Sequence, residues 1–162
     1  MHWAIRLRNK LMQIEQFICA VAMFILVCTV FWGVLERYVF KMGSGYPDEM
    51  ARYLCIWAMM IGSGLCAARG AHIGVEAFVQ MLPKHLHRPM AYLSHSLCCV
   101  FTITLACVGF QYFGRLLRSM QLTPTIEFPI AYCYLAIPIG GVLMTIHYLI
   151  KIVALDEESK GA

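Results

Sequence analysis

Four long apolar runs within 162 residues limit the fold of this chain more than any other feature. A helix needs about 20 predominantly apolar residues to cross the hydrocarbon core of a bilayer, where each backbone N–H and C=O must be satisfied inside its own segment. Four windows reach that length: about 17–40, 50–68, 90–113 and 129–153. The chain is 60% hydrophobic and 14% charged, against roughly half and a quarter in soluble domains. Its mean hydropathy is +0.69. A chain this short cannot hide that much apolar surface inside itself. The expected fold is an all-α membrane protein, a single domain over 1–162 with four transmembrane helices.

The connections differ in kind. Between the first two runs, "KMGSGYPD" carries Gly43, Gly45 and Pro47, a tight polar turn. Asp48 is placed to cap the second helix, and Glu49 falls in its first turn, where the helix dipole favours anions. The third connection breaks at Pro124 and Pro129, and the last eight residues, "LDEESKGA", read as a solvated acidic tail. The second connection has helical spacing instead. His72, Glu76 and Gln80 recur on one face, while Val75, Phe78, Val79 and Leu82 fill the other until Pro83 stops the pattern. This predicts a short amphipathic interfacial helix over about 70–82, lying in the headgroup plane. Gly70 and Gly74 ease the bend into it.

Charge sets the expected orientation. Arg6, Arg8, Lys10, Arg69, Lys84, Arg88, Lys151 and Lys160 share one side of the membrane; Arg37, Lys41, Arg52, Arg115 and Arg118 share the other. The larger basic share marks the cytoplasmic side, which places both termini there. Trp32, Tyr38, Tyr46, Tyr53, Tyr112, Tyr132 and Tyr134 suit an aromatic belt near the opposite interface. The basic N-terminal stretch resembles the start of a signal peptide, but the run after it is too long for one and is read as a retained first span.

Several function classes fall away. The net charge of +4 has no Lys/Arg stripe for a nucleic acid. The eight cysteines lie in apolar runs without a C-x-x-C, so they act as small hydrophobes rather than disulfides or zinc ligands. Arg69, His72 and Glu76 share a helix face, but one His–Glu pair falls short of the three or four ligands a metal site requires. That face is read as a hinge between a span and the interfacial helix, with Arg69 snorkelling to lipid phosphates.

His95 and His147 are predicted at similar depth on neighbouring antiparallel helices, where two imidazoles could hold a b-type haem. An electron-transfer subunit is therefore the alternative function. Glu36 and Arg37 sit near the exit of the first run and are placed to pair with each other or reach water. A small proton exchanger would carry a lone carboxylate near mid-membrane, and none is evident in the four windows. Small residues around Trp57, at Gly62 and Gly64 in the second run and at Gly140 and Gly141 in the fourth, allow close helix packing. The faces at Gly62 and Gly140 are the first candidates for contact with a partner. Four plain spans leave little room for a transport path, which would lie on another subunit. No catalytic, cofactor or metal site is expected.

The run "ERYVFKMGSGYPDEMARYLCIWAMMIGSGLCAARGAHIGVEAF" resembles the small membrane subunit of tripartite ATP-independent periplasmic (TRAP) transporters. The resemblance rests on "RYVF", the "DE" opening the second run, Trp57, Gly62 and above all R-G-x-H-I-x-V-E from Arg69 to Glu76, where the family often has Asp in place of Glu76. "TPTIEFPIAYCYLAIPIGG" is similar to the family's last span, so about 11–153 is covered. The resemblance implies a non-enzymatic accessory subunit in a bacterial inner membrane. Its partners would be phospholipids, a large multi-span transport subunit and a periplasmic substrate-binding protein. The system would import an organic acid of the sialic acid or C4-dicarboxylate class with sodium. The outer-side charges Lys41, Asp48, Glu49, Arg52, Arg115 and Arg118 are the expected docking residues for the periplasmic protein.

Overall fold

A computed structural model describes residues 2–69 and 84–160. The predicted interfacial helix, with Gly70, His72 and Glu76, lies outside the described residues. Five helices follow in chain order: α1 His2–Tyr38, α2 Tyr46–Arg69, α3 Lys84–Ser119, α4 Ile130–Tyr134 and α5 Ala136–Lys160. Four stretches are long and apolar enough to cross a membrane: Lys10–Tyr38, Tyr46–Arg69, Tyr92–Ser119 and Ile130–Val153.

The first span begins earlier than the apolar run at Phe17 implies. Nothing between Lys10 and Phe17 breaks a helix, so α1 continues unbroken through the polar residues. At 1.5 Å per residue its 37 residues reach about 55 Å, well beyond a hydrocarbon core of about 30 Å. The last span is interrupted at Leu135. Pro138 has no N–H to offer the carbonyl four residues back at Tyr134, so the short helix α4 ends there and α5 takes over.

The start of α2 also differs from the expected cap. The helix opens at Tyr46, whose N–H donates to Ser44 Oγ at 3.3 Å. Asp48 is left to pair with Arg37 across the turn, so Arg37 does not turn to its neighbour Glu36. Gly45 takes φ +71°, the left-handed region that glycine enters at little cost.

The spans form a row one helix thick, in the order α1, α2, α5, α3. α1 leans on α2, α2 on α5, and α5 on α3; α2 and α3 do not touch each other among the described residues. The start of α1, the end of α2, the start of α3 and the end of α5 form what we call the basal end, and the opposite side is the apical end. α1 meets α2 along a narrow stripe: Glu15, Cys19, Ala22, Leu26, Thr29 and Gly33, spaced four and three residues apart in alternation. Side chains on that stripe are mostly small, which lets the backbones approach. From Lys10 onward most of the rest of α1 is exposed, with Phe17 and Phe24 each 71% accessible.

Glycines set the other seams. A Cβ on Gly140 would sit 2.8 Å from Met60 Cβ, and one on Gly141 would sit 2.9 Å from the Ala106 backbone nitrogen. These adjacent glycines press α5 against α2 on one side and α3 on the other. Gly109 lies equally close to Pro138, 3.0 Å from a built Cβ to the proline nitrogen. The small-residue face at Gly140, a first candidate for a partner contact, is therefore consumed inside the chain. The expectation placed that face outward because it could not see α2 against α5.

Candidate functional site

Glu15 and His147 form the chief polar feature within the spans. Glu15 lies on the α1 stripe that faces α2 and is 4% exposed; His147, on α5, is 1% exposed. His147 Nε2 stands 3.0 Å from Glu15 Oε1 and 3.1 Å from Oε2. One nitrogen facing both carboxylate oxygens makes it the donor, an N–H shared between them. To reach α5 the carboxylate must pass α2, and Gly64 makes the passage: its built Cβ would lie 3.7 Å from Glu15 Oε2 and 3.4 Å from Leu143 Cβ. The pair thus fastens three helices at the basal end. His147 Nδ1 is buried with no hydrogen-bond partner.

This arrangement bears on two expectations. The first span carries a carboxylate, Glu15, but at its basal end and paired with His147, not alone near mid-membrane. The residue was missed because a count of apolar residues starts the first span at Phe17; the four-and-three spacing back from Gly33 through Cys19 is the signal that reaches it. The haem arrangement also fails. His95 meets the ring of Tyr148 edge-on at 6.2 Å, while the Nε2 of the neighbouring His147 is held by Glu15. Among the described residues no group of three or more His, Cys, Asp or Glu side chains is placed to hold a metal.

The apical end is organised by Glu49. It is 6% exposed. Tyr53 Oη donates to Glu49 Oε1 at 3.0 Å, and the Thr125 N–H donates to Oε2 at 2.9 Å. One carboxylate therefore ties α2 to the connection between α3 and α4. That connection folds on itself: Thr123 N–H donates to Phe128 O at 2.9 Å, and Phe128 N–H returns to Thr123 Oγ1 at 3.1 Å. Burial withdraws Glu49 from the expected docking surface, and Asp48 is exposed but engaged with Arg37. Lys41, Arg52, Arg115 and Arg118 remain as exposed cations with no salt bridge among the described residues. The apical rim is thus more basic than its sequence count suggests.

The remaining predicted residues fall as follows. Trp57 is half-buried in an apolar cleft of about 320 Å³ with Tyr53, Leu54, Ile126, Phe128 and Cys133. Gly62 faces Cys19 of α1, its built Cβ 3.6 Å from the sulfur. Arg69 is exposed at the last residue of α2.

Comparison with known proteins gives a family. Residues 26–158 match the model for the DctQ component of tripartite ATP-independent periplasmic transporters. The C4-dicarboxylate TRAP transporter small permease protein DctQ of Vibrio cholerae is 22% identical over 169 residues, covering 91% of this chain and 73% of the relative. The sialic acid TRAP transporter small permease protein SiaQ of the same organism is 24% identical over 147 residues, covering 90% and 83%. The ectoine TRAP transporter small permease protein TeaB of Halomonas elongata is 23% identical over 137 residues, covering 85% and 71%.

Proposed function

The chain belongs to the DctQ-component family of tripartite ATP-independent periplasmic transporters, and on that premise we propose that it is the stationary scaffold against which the large subunit moves. It is a small permease subunit, multi-pass in the bacterial inner membrane, and not an enzyme. Its family implies a complex with a large membrane subunit and a substrate-binding protein.

One observation carries the scaffold reading: among the described residues the buried polar side chains of the spans are engaged inside the chain, His147 Nδ1 excepted. Glu15 holds His147, Thr145 donates to Thr102 at 3.0 Å, and Ser63 and Thr104 donate back to their own helices. A solute path needs polar groups turned toward a cavity; these turn into seams. A moving partner needs a broad, fixed flank, and a row of four spans supplies one. The predicted hinge at Arg69, Gly70, His72 and Glu76 would set the angle of that flank to the membrane surface. Both termini are assigned to the cytoplasm on the basic count of the basal side, eight of 13 Lys and Arg.

The apical end then faces the periplasm. Lys41, Arg52, Arg115 and Arg118 are the proposed docking residues for the substrate-binding protein, with Asp48 orienting Arg37 beside them. The substrate proposed is an organic acid of the sialic acid or C4-dicarboxylate class, driven by sodium. Names of two relatives support that class, and the ectoine relative marks its breadth.

Reconstitution tests the scaffold reading. The large subunit in proteoliposomes, with its binding protein and a sodium gradient, is expected to transport only when this chain is present. Equal uptake without it would sink the proposal. Reversal of the four apical cations to Glu is expected to abolish binding-protein-dependent uptake while leaving co-purification of the large subunit intact.

A further inference from the structure

Because α2 and α3 do not touch, a groove runs between them in the basal half, with α5 as its floor. It encloses about 490 Å³ and is lined by Met59, Ser63, Cys66, Phe101, Met144 and Tyr148 among others. That volume lies within the roughly 300–1,000 Å³ of small-molecule sites. Its serine and threonine hydroxyls are already engaged: Ser63 donates to Met59 O at 2.8 Å, and Thr102 donates to Cys99 O at 3.0 Å while accepting from Thr145. The lining is predominantly apolar, which suits an apolar occupant.

The groove's basal mouth has a different character. On α2 the stripe through Met59, Ser63 and Cys66 continues one turn to the exposed Arg69. On α3 the stripe through Phe101 and Cys98 leads to His95, whose ring meets the groove-lining Tyr148 at 6.2 Å. On α5, Tyr148 is followed one turn later by Lys151. Three basic side chains from three helices therefore stand at the level where a span leaves the hydrocarbon. A partner helix would fill the groove but has no use for a cationic end. An amphiphile with a long chain and an anionic head matches both parts.

We propose that this groove holds one acyl chain of an anionic glycerophospholipid, with its phosphate among Arg69, His95 and Lys151. The proposal rests on the membrane-embedded reading of the family, and not on orientation or substrate. The lipid would complete the row by filling the gap that α2 and α3 leave over α5.

The complex with the large subunit, in nanodiscs of phosphatidylethanolamine and phosphatidylglycerol, provides the test. A phosphatidylglycerol with a diazirine in mid-chain is expected to label segments 59–66 and 98–102 above all others. Ser63→Trp, which fills the groove, is expected to lower that labelling at least fivefold; Cys66→Phe at the groove's exposed edge serves if Ser63→Trp does not assemble. Arg69→Gln is expected to reduce the preference for phosphatidylglycerol over phosphatidylcholine probes at least threefold. Val27→Trp on the exposed face of α1 is expected to change nothing. Labelling spread evenly over all exposed faces, or unchanged by Ser63→Trp and Cys66→Phe, would overturn the proposal. So would cross-linking of a benzophenone amino acid at position 63 to the large subunit instead of to lipid. Co-purification of the large subunit, read in the same samples, reports separately on the scaffold function.

Discussion

The closest seam in the row gives the most demanding prediction. Gly140 sits where a Cβ would meet Met60 Cβ at 2.8 Å and Met60 O at 3.1 Å, short of the 3.4 Å at which ordinary contact begins. Gly140→Ala must therefore push α2 away from α5. The same movement would loosen the Gly64–Leu143 contact and lengthen Glu15–His147, which lie along that side of α5. Overpacking of this kind costs about 1–3 kcal/mol. Alanine also repays about 1 kcal/mol of helix propensity relative to glycine. Gly114, in α3, isolates the second effect, because a Cβ there meets nothing within 4 Å. Gly114→Ala should be neutral or stabilising by up to about 1 kcal/mol. The propensity gain cancels between the two variants, so the difference between them, about 1–3 kcal/mol, reports the seam alone. Steric trapping in bicelles measures it, and size-exclusion profiles after stepwise heating give an independent ranking. Gly140→Leu should lose the folded, monodisperse species altogether. If Gly140→Ala equals Gly114→Ala in stability and Gly140→Leu stays monodisperse, α5 does not pack on α2 as described.

Other seams carry their own expectations. Glu15→Ala leaves His147 buried without its partner and should cost about 3–5 kcal/mol, whereas Glu15→Leu with His147→Leu should recover most of the loss; a double-mutant cycle in the same bicelles decides it. Glu49→Ala removes the acceptor for Thr125 N–H and Tyr53 Oη and should cost about 1–3 kcal/mol, with faster proteolysis within 120–129; Tyr53→Phe should change cleavage much less. Asp48→Ala breaks only an exposed pair and should shift stability by about 0–1 kcal/mol, within the error of a thermal scan. His72→Ala or Glu76→Ala should reduce the assembled complex recovered by pull-down without changing which substrate is taken up.

The helical, four-span character of this chain was legible because it depends on composition over 20-residue windows. Its finer organisation was not. Glu15 looks like part of a polar lead-in when apolar residues are counted, and becomes an interior residue only when helix register is followed from Cys19 and Ala22. His147 was singled out by its chemistry, but its partner lies 132 residues away on α1. No local pattern yields that pairing, because the row places α5 between α2 and α3 instead of following chain order. Asp48 and Glu49 are adjacent and chemically alike, yet one lies at the surface and the other is enclosed. That difference depends on where Thr125 returns, a long-range event that capping rules do not contain. The apical basic rim follows from the same cause: with Glu49 enclosed and Asp48 paired, the exposed Lys41, Arg52, Arg115 and Arg118 outnumber the remaining acids Glu36 and Glu127.

A row one helix thick behaves as a slatted panel. Sliding or tilting along a single seam bends it out of its own plane with little repacking, whereas shortening it within the plane would drive backbones together at Gly140 and Gly141. Glu15 and His147 stitch three slats at one edge only, leaving the opposite edge held by the Glu49 loop. A panel joined in this way matches its curvature to a neighbouring flank without repacking its seams, which is what the proposed scaffold role requires.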